Sequence, residues 1–315
     1  MAANVSASHA FRCGAVTQQP RHVRQEQRSL RRRHRSGRTW LERRPVVAVT
    51  ATVVTASVLS AFQDAPLARD AACTVLATAG ATAWLAIWTS LASAELIDPK
   101  ISRKIIHCGS APLFLCVWPF YSGEASARLL AAAVPLLNLG RLVAAGLRDS
   151  PTRKEEDSSS SSEKSPLVAA VSRSGDPREV LAGPTIYCLV LVAATLLGWR
   201  ASVPAVVAVS QMAVGDGMAD IVGRRFGRTN KWPFSPDKSV AGSAAFVLGA
   251  TGATLGLVAW FALFGCLTLT LDPTTFALRV LLVSLACAAV ELLPALDDNL
   301  SVPLLAALLA HLFLV

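Results

Sequence analysis

The stretch Gln211–Ser243, QMAVGDGMADIVGRRFGRTNKWPFSPDKSVAGS, concentrates the side chains able to do chemistry. Asp216 and Asp220 stand four residues apart at the end of an apolar run, so on a helix they share one face. Carboxylates are costly at membrane depth, and an acid kept there marks a functional position. The same face continues through Met212, Gly223 and Gly227, while Gly215 and Gly217 thin the backbone beside it. Such a face leaves room for Mg²⁺, which takes one or two carboxylates together with phosphate oxygens and water. The competing reading is an ion pair between Asp220 and Arg224, which leaves Asp216 without a local partner.

A basic loop follows at once. Arg224 and Arg225 precede Gly227–Ser239, which adds Arg228, Lys231 and Lys238. Ser239 is placed to cap a helix starting at Val240, and Gly242 and Ser243 keep its first turn open. Free N–H groups at a helix start, next to lysine, are suited to a triphosphate. The GxxxxGK[ST] pattern of a Walker A loop is absent. Read without the acids, the loop is a topology determinant.

Arg103, Lys104 and His107 lie at the mouth of an apolar run, placed either for phosphate or as snorkelling cations beside a satisfied histidine. Glu291 is a further acid inside an apolar run. Asp297-Asp298-Asn299 closes that run, as part of a site or as a helix stop and cap. Together these residues are consistent with a bound metal–nucleotide: Asp216 and Asp220 on the metal, Lys238 with Arg224 or Lys231 offsetting phosphate charge, and Asp220 or His107 as the base if one is used.

The elements that must hold them are membrane helices. At 315 residues, 53% hydrophobic and 16% charged, with a mean hydropathy of +0.47, the chain is more apolar than a soluble domain. Apolar runs fall near 46–62, 71–94, 105–121, 127–147, 181–199, 202–223, 240–270, 275–296 and 300–315. The expected fold is an all-α, multi-pass transmembrane helical bundle of about 7–9 spans, each needing ~20 apolar residues. Counting crossings puts 96–104, 149–180, 224–238 and 297–299 on the same side. The longest run, near 240, has to cross once for that count to hold.

Residues 1–45 carry eleven Arg against two Glu, which accounts for the whole net charge of +9. The remainder is neutral, so nucleic acid is not an expected partner. This Arg-rich, acid-poor start reads as an organelle transit peptide, or as a basic arm on anionic lipid. Residues 46–315 form the membrane domain, with a Ser-rich disordered loop at 149–166. The seven Cys are scattered with no CxxC spacing, so neither a zinc site nor a disulfide framework is indicated.

RKIIH (103–107), SRSGDPREVLAGP (172–184), GDGMADIVGRRFG (215–227), KWPFSPDKSVAGS (231–243) and DDNLSVP (297–303) resemble the phytol kinase family of plants and algae. That family includes farnesol kinase and is more distantly similar to the CTP-dependent dolichol kinases. The resemblance spans about 95–315. It implies phosphoryl transfer from CTP to a prenyl alcohol, phytol giving phytyl phosphate for tocopherol, with Mg²⁺, in a chloroplast membrane. The Ser-rich insert is longer than the family pattern, and Ser235 stands where relatives often carry Asn. The alternatives are a farnesol or geranylgeraniol kinase, a CTP-dependent cytidylyltransferase and a transporter.

Overall fold

Helix starts are written plainly in this chain, and they fix the architecture. Asp98 accepts the N–H of Lys100 at 2.7 Å ahead of Pro99, Asp272 caps ahead of Pro273, and Asp297 accepts the N–H of Asn299 at 2.9 Å. An oxygen acceptor followed by proline satisfies one orphan donor and removes another. The computed structural model describes residues 64–148, 172, 176–293 and 297–315. The expected transit segment at 1–45, the run at 46–62 and the Ser-rich loop at 149–166 lie outside the described residues.

The order is α1 (Pro66–Ser93), α2 (Pro99–Val117), α3 (Ala127–Arg148), the short α4 (Pro177–Val180), α5 (Gly183–Ala193), α6 (Val203–Ser210), α7 (Asp216–Phe226), α8 (Val240–Leu263), α9 (Pro273–Glu291) and α10 (Asp298–Phe313). A π turn at Gln211–Gly215 joins α6 to α7, and another at Ala194–Gly198 ends α5. The bundle is all-α, as expected, apart from one hairpin. Among the described residues six helices are long and apolar enough to span, against the seven to nine anticipated for the whole chain, one of whose runs, 46–62, lies outside them. The reasons are local: α2 carries Lys100, Arg103 and Lys104 in its first turns, and α10 has 16 residues. The 240–270 run is a single unbroken helix, α8, ending before Gly265 at φ 68°.

The α6 segment VPAVVAVS is apolar on every side, and all of it except Pro204 is buried. A helix without a polar face belongs at the centre. Trp118, Phe246, Phe261, Phe276 and Met212 fill the core around it. Outward-facing Leu76, Leu129, Leu248, Leu282 and Leu304 are exposed, the face a bundle offers to hydrocarbon.

The basic loop is more ordered than its Gly and Pro content implies. Lys231–Trp232 (β1) and Ser235–Ser239 (β2) pair antiparallel. Trp232 stacks on Phe234 at 5.4 Å, the Lys231 ammonium donates to the Asp237 carbonyl at 2.8 Å, and the Trp232 indole donates to Ser243 at 3.0 Å.

Candidate active site

The polar ends of α2, α7, α9 and α10 meet with β2 at one end of the bundle. Asp216, the first residue after the π turn, accepts from the Lys104 ammonium at 3.0 Å and lies 3.1 Å from His107 Nε2. Lys104 and His107 are three residues apart on α2 and so present the same side. Lys104 is only 7% exposed, and Asp216 is the anion it meets. His107 Nε2 also lies 3.4 Å from the Met212 carbonyl. Both neighbours of Nε2 are acceptors, so Nε2 donates, and in the neutral ring Nδ1 is the acceptor nitrogen.

Tyr187 of α5 fixes the imidazole from behind. Its ring lies 4.5 Å from that of His107, and its hydroxyl donates to the His107 carbonyl at 2.8 Å while accepting the Ala111 N–H at 3.2 Å. The hydroxyl thus bridges the two backbone groups that an α-helix pairs, just before Pro112.

A second cluster adjoins the first. Lys238 donates to Glu291 and, at 3.2 Å, to Asp298. Burial alone would lower the Lys238 pKa, but the hydrogen bond and charge of Glu291, with Asp298, hold it above the ordinary lysine value. Asp216, Glu291 and Asp298 each offer a carboxylate oxygen, all within 4.8 Å of one another. Three hard oxygen donors at this spacing fit Mg²⁺.

Asp216 and Asp298 also line a cavity of about 750 Å³ enclosed by α1, α2, α3 and α5. Its mouth is polar, with Arg103, Lys104, His107 and Asn299. Its depth is apolar, with Ile106, Phe114, Val134 and Leu191. Along α2 the lining runs from Lys104 to Phe114, a depth of ~15 Å at the helical rise. Phe114 packs edge-on against the fully buried Trp118, which closes that end.

Other expected site residues have different duties. Asp220 lies outside the carboxylate cluster and is paired with Arg224 at 2.9 Å, the alternative that their spacing allowed. The room expected beside Gly215 and Gly217 is filled: a Cβ there would meet the Phe246 ring at 2.7 Å and the Cys108 Cβ at 2.7 Å. Gly242 likewise serves contact between α7 and α8, its Cβ position 3.0 Å from the Ala219 carbonyl. These glycines let helices touch, as membrane packing requires. Ser239 caps α8 as expected, accepting the Gly242 N–H at 3.1 Å, which occupies that donor. Lys231 and Ser243 hold the hairpin.

Glu291 carried a legible signal as an intramembrane acid. The trio at 297–299 divides its labour: Asp297 caps α10, while Asp298 joins Lys238. Nothing in the sequence marked Tyr187 or Phe114, whose roles depend on helix pairing.

No family model matches the chain, and no solved structure does. Curated relatives do. The chain is 40% identical over 247 residues to the probable phytol kinase 1, chloroplastic, of Oryza sativa subsp. japonica, covering 78% of this chain and 74% of that protein. It is 38% identical over 256 residues to phytol kinase 1, chloroplastic, of Arabidopsis thaliana, covering 80% and 79%. The farnesol kinase, chloroplastic, of Arabidopsis thaliana is 35% identical over 234 residues, covering 72% and 70%. Identity at this level over most of both chains, together with the motifs at 103–107, 215–227, 231–243 and 297–303, establishes descent: the chain belongs to the phytol kinase family.

Proposed function

We propose that this protein is a phytol kinase of the chloroplast membrane, transferring a phosphoryl group from CTP to the hydroxyl of phytol to give phytyl phosphate and CDP. The observation that carries the reading is one cavity with a charged mouth and an apolar depth, in a chain whose relatives are named phytol and farnesol kinases. The prenyl tail lies against Ile106, Val134 and Leu191, which brings its hydroxyl to the mouth. Asn299, whose Oδ1 is buried with no hydrogen-bond partner among the described residues, lines that mouth.

Lys104, Lys238 and Arg103 bind the phosphates and offset the charge that spreads over the transferring group. Positioning and electrostatics carry most of such a transfer. His107 Nδ1 takes the hydroxyl proton, and Asp216 stabilises the imidazolium that results. Asp216, Glu291 and Asp298 would hold Mg²⁺, which when bound neutralises phosphate charge. Packed helices around the cavity keep water from competing as the acceptor. Residues 1–45 serve as the transit peptide in this reading.

The farnesol kinase relative gives farnesol as the second acceptor to test. Purified protein in detergent is supplied with phytol, farnesol or geranylgeraniol and labelled CTP, ATP or UTP. Phytyl phosphate with released CDP is expected. Released pyrophosphate identifies a cytidylyltransferase instead, and absence of any phosphorylated prenol refutes the kinase.

A further inference from the structure

A second cavity, of about 660 Å³, opens at the other end of the bundle, where α1 and α3 begin and the α5–α6 and α8–α9 connections turn. Arg69, Arg128 and Arg200 line it, with Glu124 the only acid among the described lining residues. Among the described residues none of the three arginines forms a salt bridge; each donates to backbone carbonyls. Arg69 donates to Phe120 at 2.7 Å and to Tyr121 at 3.1 Å, and Arg200 donates to that same Tyr121 carbonyl at 2.7 Å. Arg128 donates to the Leu196 carbonyl at 3.3 Å.

Two guanidinium groups share one neutral oxygen, and neither forms a salt bridge with the neighbouring Asp70. Asp70 is fully buried, and its two oxygens accept the Ser122 N–H at 2.6 Å and the Ser122 hydroxyl at 2.7 Å. A guanidinium offers five donors, so each arginine keeps N–H groups beyond those bonded to carbonyls. Trp199 and Phe264 complete the wall. Trp199 is held at φ 56°, a conformation rare for a bulky side chain, and packs against Trp118 and Tyr121. Tryptophan beside arginine at the ends of membrane helices is the arrangement found at headgroup level.

We infer that this cavity binds a phosphate-bearing anion, the headgroup of an anionic membrane lipid, on the face opposite the kinase site. The arginines bind the phosphate, and Trp199 and Phe264 lie against the glycerol and upper acyl carbons. Arginine is suited to this task because its planar donors match phosphate oxygens. The inference is independent of the reaction at the other end.

The test uses the full chain in nanodiscs of phosphatidylcholine mixed with phosphatidylglycerol, with native mass spectrometry after release. The parent is expected to retain one phosphatidylglycerol. The double variant Arg128→Gln with Arg200→Gln keeps amide donors for the carbonyls but removes charge, and retention is expected to fall roughly tenfold or more. Arg128→Lys with Arg200→Lys is expected to keep most of it, and Lys238→Ala, at the other end, all of it. Inorganic phosphate serves as the competing probe: charge-dependent phosphate binding without lipid preference identifies a free anion as the occupant of the same arginine site. Equal retention in parent and glutamine variant overturns the inference, as does a parent that prefers neither probe. If the double variant does not insert, Arg128→Gln alone decides, since Arg128 is exposed and makes one long bond.

Discussion

One end of the bundle buries Asp70 fully and the other partly buries Asp216, and the two have little else in common. Asp70 is met by neutral donors from one turn, the N–H and hydroxyl of Ser122. Asp216 is met by an ammonium and an imidazole, and one side of it faces the 750 Å³ cavity. The first staples the turn after α2 to α1. The second holds groups whose protonation and partners can change during a reaction. A buried carboxylate therefore does not identify a site by itself; the chemistry of its partners and an adjoining space do.

The largest contrast should come from changing each acid to its amide. Asp216→Asn is expected to lower turnover of phytol by on the order of 10²–10³, as loss of a charged group in a dry site does. Asp70→Asn should leave turnover within about twofold while costing ~1–3 kcal/mol of stability, through a donor left unmatched in a buried site. Labelled-nucleotide assays and thermal melts in detergent separate the two; the reverse pattern would break the comparison.

Next in size is Lys238→Met, which leaves Glu291 buried without its cation and is expected to cost ~10²-fold in kcat/KM. The pH dependence has a definite sign. The native pKa of Lys238 is raised, so its contribution is whole below the ordinary lysine value of ~10.4 and fades as pH climbs through the higher native value. Protection of the 231–239 hairpin, taken as its exchange relative to an unstructured chain at the same pH, should therefore hold up to that range and fall above it. In Lys238→Met the exchange should be faster already at neutral pH.

A smaller, more specific effect is expected deep in the cavity. Phe114→Ala lengthens the apolar depth and should move the preference between farnesol and phytol roughly tenfold toward phytol, read as the ratio of their kcat/KM values. An unchanged ratio in an active variant would show that the closed end does not measure the tail. Smallest of all is Asp220→Asn. Its i,i+4 pair with Arg224 is worth ~0.3–0.5 kcal/mol, and activity should stay within about twofold. A loss matching that of Asp216→Asn would restore the carboxylate pair at 216 and 220 as the centre.

Much of this was legible in the sequence because it is locally encoded. The cap at Asp297, the Ser239 cap and the paired Asp220 and Arg224 all follow from neighbours within four residues. Lys104, His107, Asp216 and Lys238 stood out as polar groups beside apolar runs. The partners they would find were not legible. Asp216 meets a lysine 112 residues earlier, and Lys238 meets Asp298, 60 residues later, through the packing of helices. The glycines misled for the same reason: a missing side chain reads alike whether a ligand or a neighbouring helix fills the gap, and only Phe246 and Cys108 decide it.

Because Asp298 opens α10 and closes on Lys238, the candidate site draws on early and late parts of the chain alike. A cut that removed α10 would leave the pair of Lys104 and Asp216 in place, yet would take one carboxylate from the cluster and one anion from Lys238. The far end of the chain is therefore as exposed to damaging truncation as the segments that precede it.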